Sequence, residues 1–124
     1  MPTGQILVVE DDVPIADACQ AFLQGQGFQV VCARDFADAQ KKLRTAAHRL
    51  IILDHALWND HTAAELFKDL PPGVPVLLFT ASPAAEVRKP PDRKWELLPK
   101  PCDLEELLNA IARLTGISLS GFKP

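Results

Sequence analysis

Gln5-Ile6-Leu7-Val8-Val9-Glu10-Asp11-Asp12 is the stretch on which the fold turns. Five residues without helical spacing read as a strand covered on both faces, because a strand exposed on one side alternates apolar with polar. The run stops on three consecutive acids, then the period changes. From Val13 to Gln26, Ile15, Cys19 and Phe22 share one helical face, with Ala16 and Leu23 beside it. Pro14 suits a first helical turn, and Gly25 and Gly27 bracket the end. One strand leading directly into one helix is the unit from which parallel sheets are built.

The unit recurs along the chain. Phe28 to Cys32 reads as a second strand, and Asp35 caps a helix that carries Ala39, Leu43 and Ala46 inward, with Lys41, Lys42 and Arg44 facing water. Leu50 to Leu53 is a third strand ending on Asp54. Ala63, Leu66, Phe67 and Leu70 give the stripe of a third helix, which Pro71-Pro72-Gly73 stops. Val74 to Phe79 is a fourth strand, with Pro75 near its start, where a missing N–H does least harm. Trp95 to Leu98 is a fifth. Asp103 and Glu106 then open a last helix carrying Leu104, Leu107, Leu108, Ile111 and Leu114, and Gly116 fits its C-terminal cap.

Five strands alternating with helices predict an α/β fold with an open, doubly wound parallel sheet. The 124 residues make one domain, 1–124, with 48% apolar and 23% charged residues, which excludes a disordered tail or a coiled coil. No run spans a bilayer and the N-terminus lacks a signal-peptide layout. The net charge of −3 gives no pull toward nucleic acid. Cys19, Cys32 and Cys102 form no C-x-x-C pair and read as free thiols of a cytoplasmic protein. Nine of the 11 prolines fall between Pro71 and Pro124. Pro83, Pro90 and Pro91 leave room for at most about two helical turns between strands four and five, so the fourth helix is reduced or absent.

Ligands of open α/β sheets bind at the carboxyl ends of the strands. Here those ends carry Glu10 and Asp11, Asp54, Thr80 and Lys100. Clustered carboxylates repel, by about 4 kcal/mol for a 4 Å pair at an effective dielectric of 20. A hard divalent cation removes that penalty, and Mg²⁺ uses one or two carboxylates plus waters and phosphate oxygens. A nearby Lys suits a phosphate as a point charge. The set points to a metal, a phosphoryl group and a carboxylate nucleophile. Each residue alone also fits a structural role, Asp12 as a helix cap above all.

Ile6 to Asp12, Leu53-Asp54, Phe79-Thr80-Ala81 and Lys100-Pro101 together resemble the receiver domains of two-component response regulators over nearly the whole chain. The resemblance implies a flavodoxin-like three-layer sandwich. It implies Asp54 as phosphoacceptor from the phosphohistidine of a histidine kinase or histidine phosphotransfer protein. Asp11 would hold Mg²⁺ directly, Glu10 through a water, and the Ala56 carbonyl would be a further ligand; Thr80 and Lys100 would contact phosphoryl oxygens, and the Lys100–Pro101 bond would be cis. Such a protein is a signalling receiver rather than an enzyme on other substrates, and its output is a downstream protein contact. Gly116 to Pro124 is too short for an output domain, so a stand-alone receiver or a segment of a larger protein is expected.

The sequence departs from that family in identifiable places. Trp58 stands where receivers place a proline, and Thr62 near their glycine. The segments from Asp54 to Thr80 and from Thr80 to Lys100 are short. Leu97 occupies the position of the family's mobile aromatic, and Cys102 follows Lys-Pro in place of another. These departures motivate an alternative: a degenerate receiver acting as a phosphorylation-independent interaction module. A small-molecule phosphatase on a similar sheet would need a second aspartate at Ala56. His55 and His61 lack helical ligand spacing, and Arg88, Lys89, Arg93 and Lys94 read as a solvated or partner-docking run rather than a DNA reader.

Overall fold

In the computed structural model, residues 4–54, 73–80, 93–100 and 103–116 are described. Within them run β1 (Gln5–Val9), α1 (Val13–Gly25), β2 (Val30–Ala33), α2 (Phe36–Thr45), β3 (His48–Asp54), β4 (Val76–Thr80), β5 (Trp95–Pro99) and α3 (Leu104–Thr115). The expected third helix over Ala63 to Leu70, the loop of His55 to Thr62, the reduced fourth helix and Pro101 lie outside the described residues.

The strands form one parallel sheet in the order β2-β1-β3-β4-β5. That order is the flavodoxin-like variant of the doubly wound fold. Period-two alternation divides each apolar run between two cores. Leu7, Val9, Ile51, Leu53, Val76 and Leu78 share one core with Ala39 and Leu43 of α2. Ile6, Val8, Leu50, Ile52, Leu77 and Phe79 face the other way, onto Leu23 of α1 and Leu107, Leu108, Ile111 and Leu114 of α3. Both faces are covered, which is why the strands carry no polar alternation.

Three aspartates start the three described helices in the same way. Asp12, Asp35 and Asp103 each accept the N–H of the third residue on: Ile15 at 3.2 Å, Asp38 at 2.8 Å and Glu106 at 2.8 Å. Gly116 ends α3 at φ 74°, with its N–H on the Ala112 carbonyl, a left-handed cap that favours glycine.

Some expected details shift. The buried line of α1 is Ala16 and Leu23, with Ile15, Cys19 and Phe22 only half-buried. β2 starts at Val30, two residues late, because the Phe28 N–H still bonds the Leu23 carbonyl of the helix exit. Ala46 is exposed, since α2 has ended and the chain there is extended at φ −158°. Leu104 is 53% exposed, standing at the helix start beyond the packed stripe. Lys42 does not simply face water: its ammonium bonds the Cys32 carbonyl and Asp38. Arg93 reaches back to the Val74 carbonyl at 2.9 Å, so one member of the basic run braces the start of β4.

Candidate functional site

Parallel register brings the strand ends into one row. Val9 pairs with Leu53, so Glu10, the next residue, lies beside Asp54. Asp54 pairs with Phe79, which places Thr80 one residue further along β4. Thr80 pairs with Pro99, and Lys100 follows. The ladder continues one step past the strands, with the Glu10 N–H on the Ala33 carbonyl at 3.0 Å and the Lys100 N–H on the Thr80 carbonyl at 2.6 Å. Backbone bonding therefore fixes where these side chains begin.

The side chains then converge. The Lys100 Nζ donates to Glu10 Oε2 at 2.8 Å and to Asp54 Oδ1 at 3.1 Å. The other Glu10 oxygen accepts the Asp12 N–H at 3.2 Å. Glu10, Asp54 and Thr80 are buried, whereas Asp11 is exposed at the mouth. Carboxylate oxygens of Glu10, Asp11 and Asp54 all lie within 4.8 Å of one another. Ala56, the expected carbonyl ligand, is outside the described residues, as are His55 and His61.

Burial raises the Glu10 carboxyl above its ordinary value, and the Asp54 charge adds to that; the bonds from Lys100 and the Asp12 N–H oppose it and lose. For Lys100 burial works to lower the ammonium, but the bonds to Glu10 and Asp54 outweigh it and the net shift is upward. One ammonium thus stands among three carboxylates. The remaining negative charge and the all-oxygen donor set suit a hard divalent cation such as Mg²⁺, and offer nothing to a soft metal.

The Lys100–Glu10 bond was not legible in the chain. Its partners lie 90 residues apart, and the sequence placed Lys100 with phosphoryl oxygens and Glu10 with the metal's water shell. Only the β1–β3–β4–β5 order makes the pairing possible.

Residues 6–112 match the family of response regulator receiver domains. The chain belongs to that family and is a receiver of two-component signal transduction, a phosphoacceptor class in which magnesium binding is typical. It is 30% identical over 118 residues to the DNA-binding transcriptional regulator NtrC of Bradyrhizobium sp. (strain RP501 Parasponia), covering 91% of this chain and 24% of that protein. It is 35% identical over 115 residues to Protein PetR of Rhodobacter capsulatus, covering 87% of this chain and 48% of that one. The chain spans about a quarter of the NtrC relative's length. Among solved structures, it superposes on the receiver domain of the sensor histidine kinase PA1611 from Pseudomonas aeruginosa PAO1, which has a magnesium ion coordinated in its active-site cleft. The TM-score is 0.72 at 22% identity, over 93% of this chain and 100% of that one. The receiver domain of a signal transduction histidine kinase from Syntrophus aciditrophicus gives 0.67 at 26% identity, over 98% and 93%.

Proposed function

We propose that Asp54 is the residue that takes the phosphoryl group, from the phosphohistidine of a histidine kinase or histidine phosphotransfer protein. The single observation that carries the assignment is the convergence of Lys100 on Asp54 and Glu10 beside the Glu10–Asp11–Asp54 cluster. An Asp54 carboxylate oxygen attacks phosphorus, the P–N bond to the donor imidazole breaks, and the nitrogen keeps that electron pair. The product on this chain is an acyl phosphate.

The residues divide the work. Asp11 and Asp54, with the Ala56 carbonyl, would hold Mg²⁺ directly, and Glu10 would hold it through a water. A cation held there would supply neutralisation of the charge on the transferring phosphoryl oxygens. Lys100 is already donating to the nucleophilic carboxylate and has an ammonium to offer a phosphoryl oxygen. The Thr80 hydroxyl, at the end of the neighbouring strand, would meet another. Catalysis of this kind is positioning and charge neutralisation, which a rim of fixed strand ends supplies. The reading is of a cytoplasmic signalling receiver, 1–124, whose output is a contact with another protein and which itself binds neither nucleic acid nor membrane.

The test is incubation with Mg²⁺ and phosphoramidate, followed by intact-mass measurement. The parent protein is expected to gain one phosphoryl group, which hydroxylamine displaces as inorganic phosphate to leave a hydroxamate on the acceptor, and Asp54→Asn to gain none. Labelling that survives in Asp54→Asn moves the acceptor elsewhere. A parent that binds Mg²⁺ but is never labelled identifies the phosphorylation-independent interaction module instead.

A further inference from the structure

Beside the acidic cluster, and sharing only Glu10 with it, is a cavity of ≈ 290 Å³ whose walls include Asp17 and Gln20 of α1, Cys32 and Arg34 at the end of β2, and Lys42 of α2. Helices α1 and α2 pack on opposite faces of the sheet. Residues of both line the cavity and β2 is an edge strand, so the cavity wraps the free edge at β2. The alternation of β2 explains one wall. Gln29 and Ala33 give their carbonyls to β1, which turns the Cys32 carbonyl outward, where the Lys42 ammonium caps it.

Most polar groups in the cavity are already matched. Lys42 is paired with Asp38, and Glu10 with Lys100. The single Cys32 S–H has two acceptors in reach, the Gln20 Oε1 at 3.5 Å and the Ala16 carbonyl at 3.8 Å. Two charges remain, one of each sign. Neither the Asp17 carboxylate nor the Arg34 guanidinium has a hydrogen-bond or ion-pair partner among the described residues, and they stand on different elements of the wall. We propose that this cavity binds a small zwitterion of amino-acid size, its ammonium on Asp17 and its carboxylate on Arg34.

Size and charge select that class. The volume lies just below the roughly 300–1,000 Å³ range of small-molecule sites, which suits a compact ligand. An anion alone meets Asp17, Asp38 and Glu10, and a cation alone leaves Arg34 unmatched. A carboxylate takes the guanidinium in its two-point geometry. With its oxygen occupied by the thiol, the Gln20 side chain has its amide N–H groups left to donate to the same carboxylate. The Cys32 sulfur is the marker of occupancy, since the charges of both Asp17 and Lys42 act on it.

The experiment uses the full chain and follows alkylation of Cys32 by iodoacetamide, with peptide mass mapping to read it apart from Cys19 and Cys102. Free L-amino acids are the probes, with ethylamine and propionate as single-charge controls. At ten times its dissociation constant, a bound amino acid is expected to slow Cys32 alkylation about tenfold, while the controls do nothing. Asp17→Asn and Arg34→Gln each restore the unprotected rate; both side chains are exposed, and an unchanged urea midpoint verifies the fold. No slowing by any amino acid, equal slowing by ethylamine or propionate, or slowing that survives both substitutions overturns the proposal. None of these outcomes depends on phosphorylation of Asp54.

Discussion

Lys100 holds one positive charge between two buried carboxylates, and the consequences of removing it differ with and without a divalent cation. Lys100→Met keeps most of the stem and deletes the charge. Glu10 then keeps only the Asp12 N–H and Asp54 loses the ammonium, and removing one partner of a buried ion pair costs about 3–5 kcal/mol. The variant is therefore expected to unfold at lower urea concentration in the absence of metal. Magnesium meets no competing ammonium there, so adding it should raise the midpoint of the variant more than that of the parent. Phosphorylation by a small donor should fall at the same time, since the proposed phosphoryl contact is gone. Paired urea titrations with and without Mg²⁺ decide it. Equal magnesium increments in the two proteins would show that Lys100 and the cation do not compete.

The helices test how far local pattern governs stability. The Asp103 carboxylate takes the Glu106 N–H, and Asp103→Ala is expected to lose about 0.5–2 kcal/mol by chemical unfolding, the usual worth of an N-cap. Leu104 and Leu108 belong to the same apolar stripe in the sequence, yet Leu104 is 53% exposed and Leu108 is 0%. Leu108→Ala should lose about 2–5 kcal/mol by leaving a cavity; Leu104→Ala should change stability by no more than about 0.5 kcal/mol. A similar loss from both would mean that α3 docks deeper than its burial indicates. The caps were legible because each is a single residue acting on the next turn. The phase of a stripe was less so. One residue is about 100° of helix, and which neighbour of Ile15 points inward depends on where the sheet lies, so Ala16 and Leu23 hold the centre of α1. Strand limits shifted for a similar reason: His48 and Arg49 extend β3 through partners the apolar run does not reveal.

At the scale of the whole molecule, the row of strand ends was readable as a set of residues but not as distances, because register belongs to pairs of strands and leaves no mark in either one alone. The foot of the sheet was less readable still. There Gln5 pairs with His48 while Ile6 pairs with Leu50, so Arg49 is an extra residue, and its side chain donates to the Gly4 carbonyl at 2.8 Å. Gly4 sits at φ +115°, and a Cβ there would lie 2.9 Å from the Ala47 carbonyl oxygen, so the chain passes closely. His48 is buried at this point, with the Gln5 amide 3.2 Å from its Nε2 and a further bond to the Ala46 backbone. Burial holds its pKa below 6.5, the Ala46 bond opposing without prevailing. The sign of the consequence is fixed by linkage. Below about 6.5 the unfolded chain takes up a proton at His48 more readily than the folded one, so acidification favours unfolding. The contribution is complete above that pH and is lost as pH falls through the folded value. His48→Gln has no proton to bind, so the stability of the parent relative to this variant should decline on acidifying from pH 7 and then level off. Urea midpoints of the two proteins at several pH values measure it; a difference that stays flat, or widens toward acid, would show that the folded protein holds the charged imidazole as readily as water does.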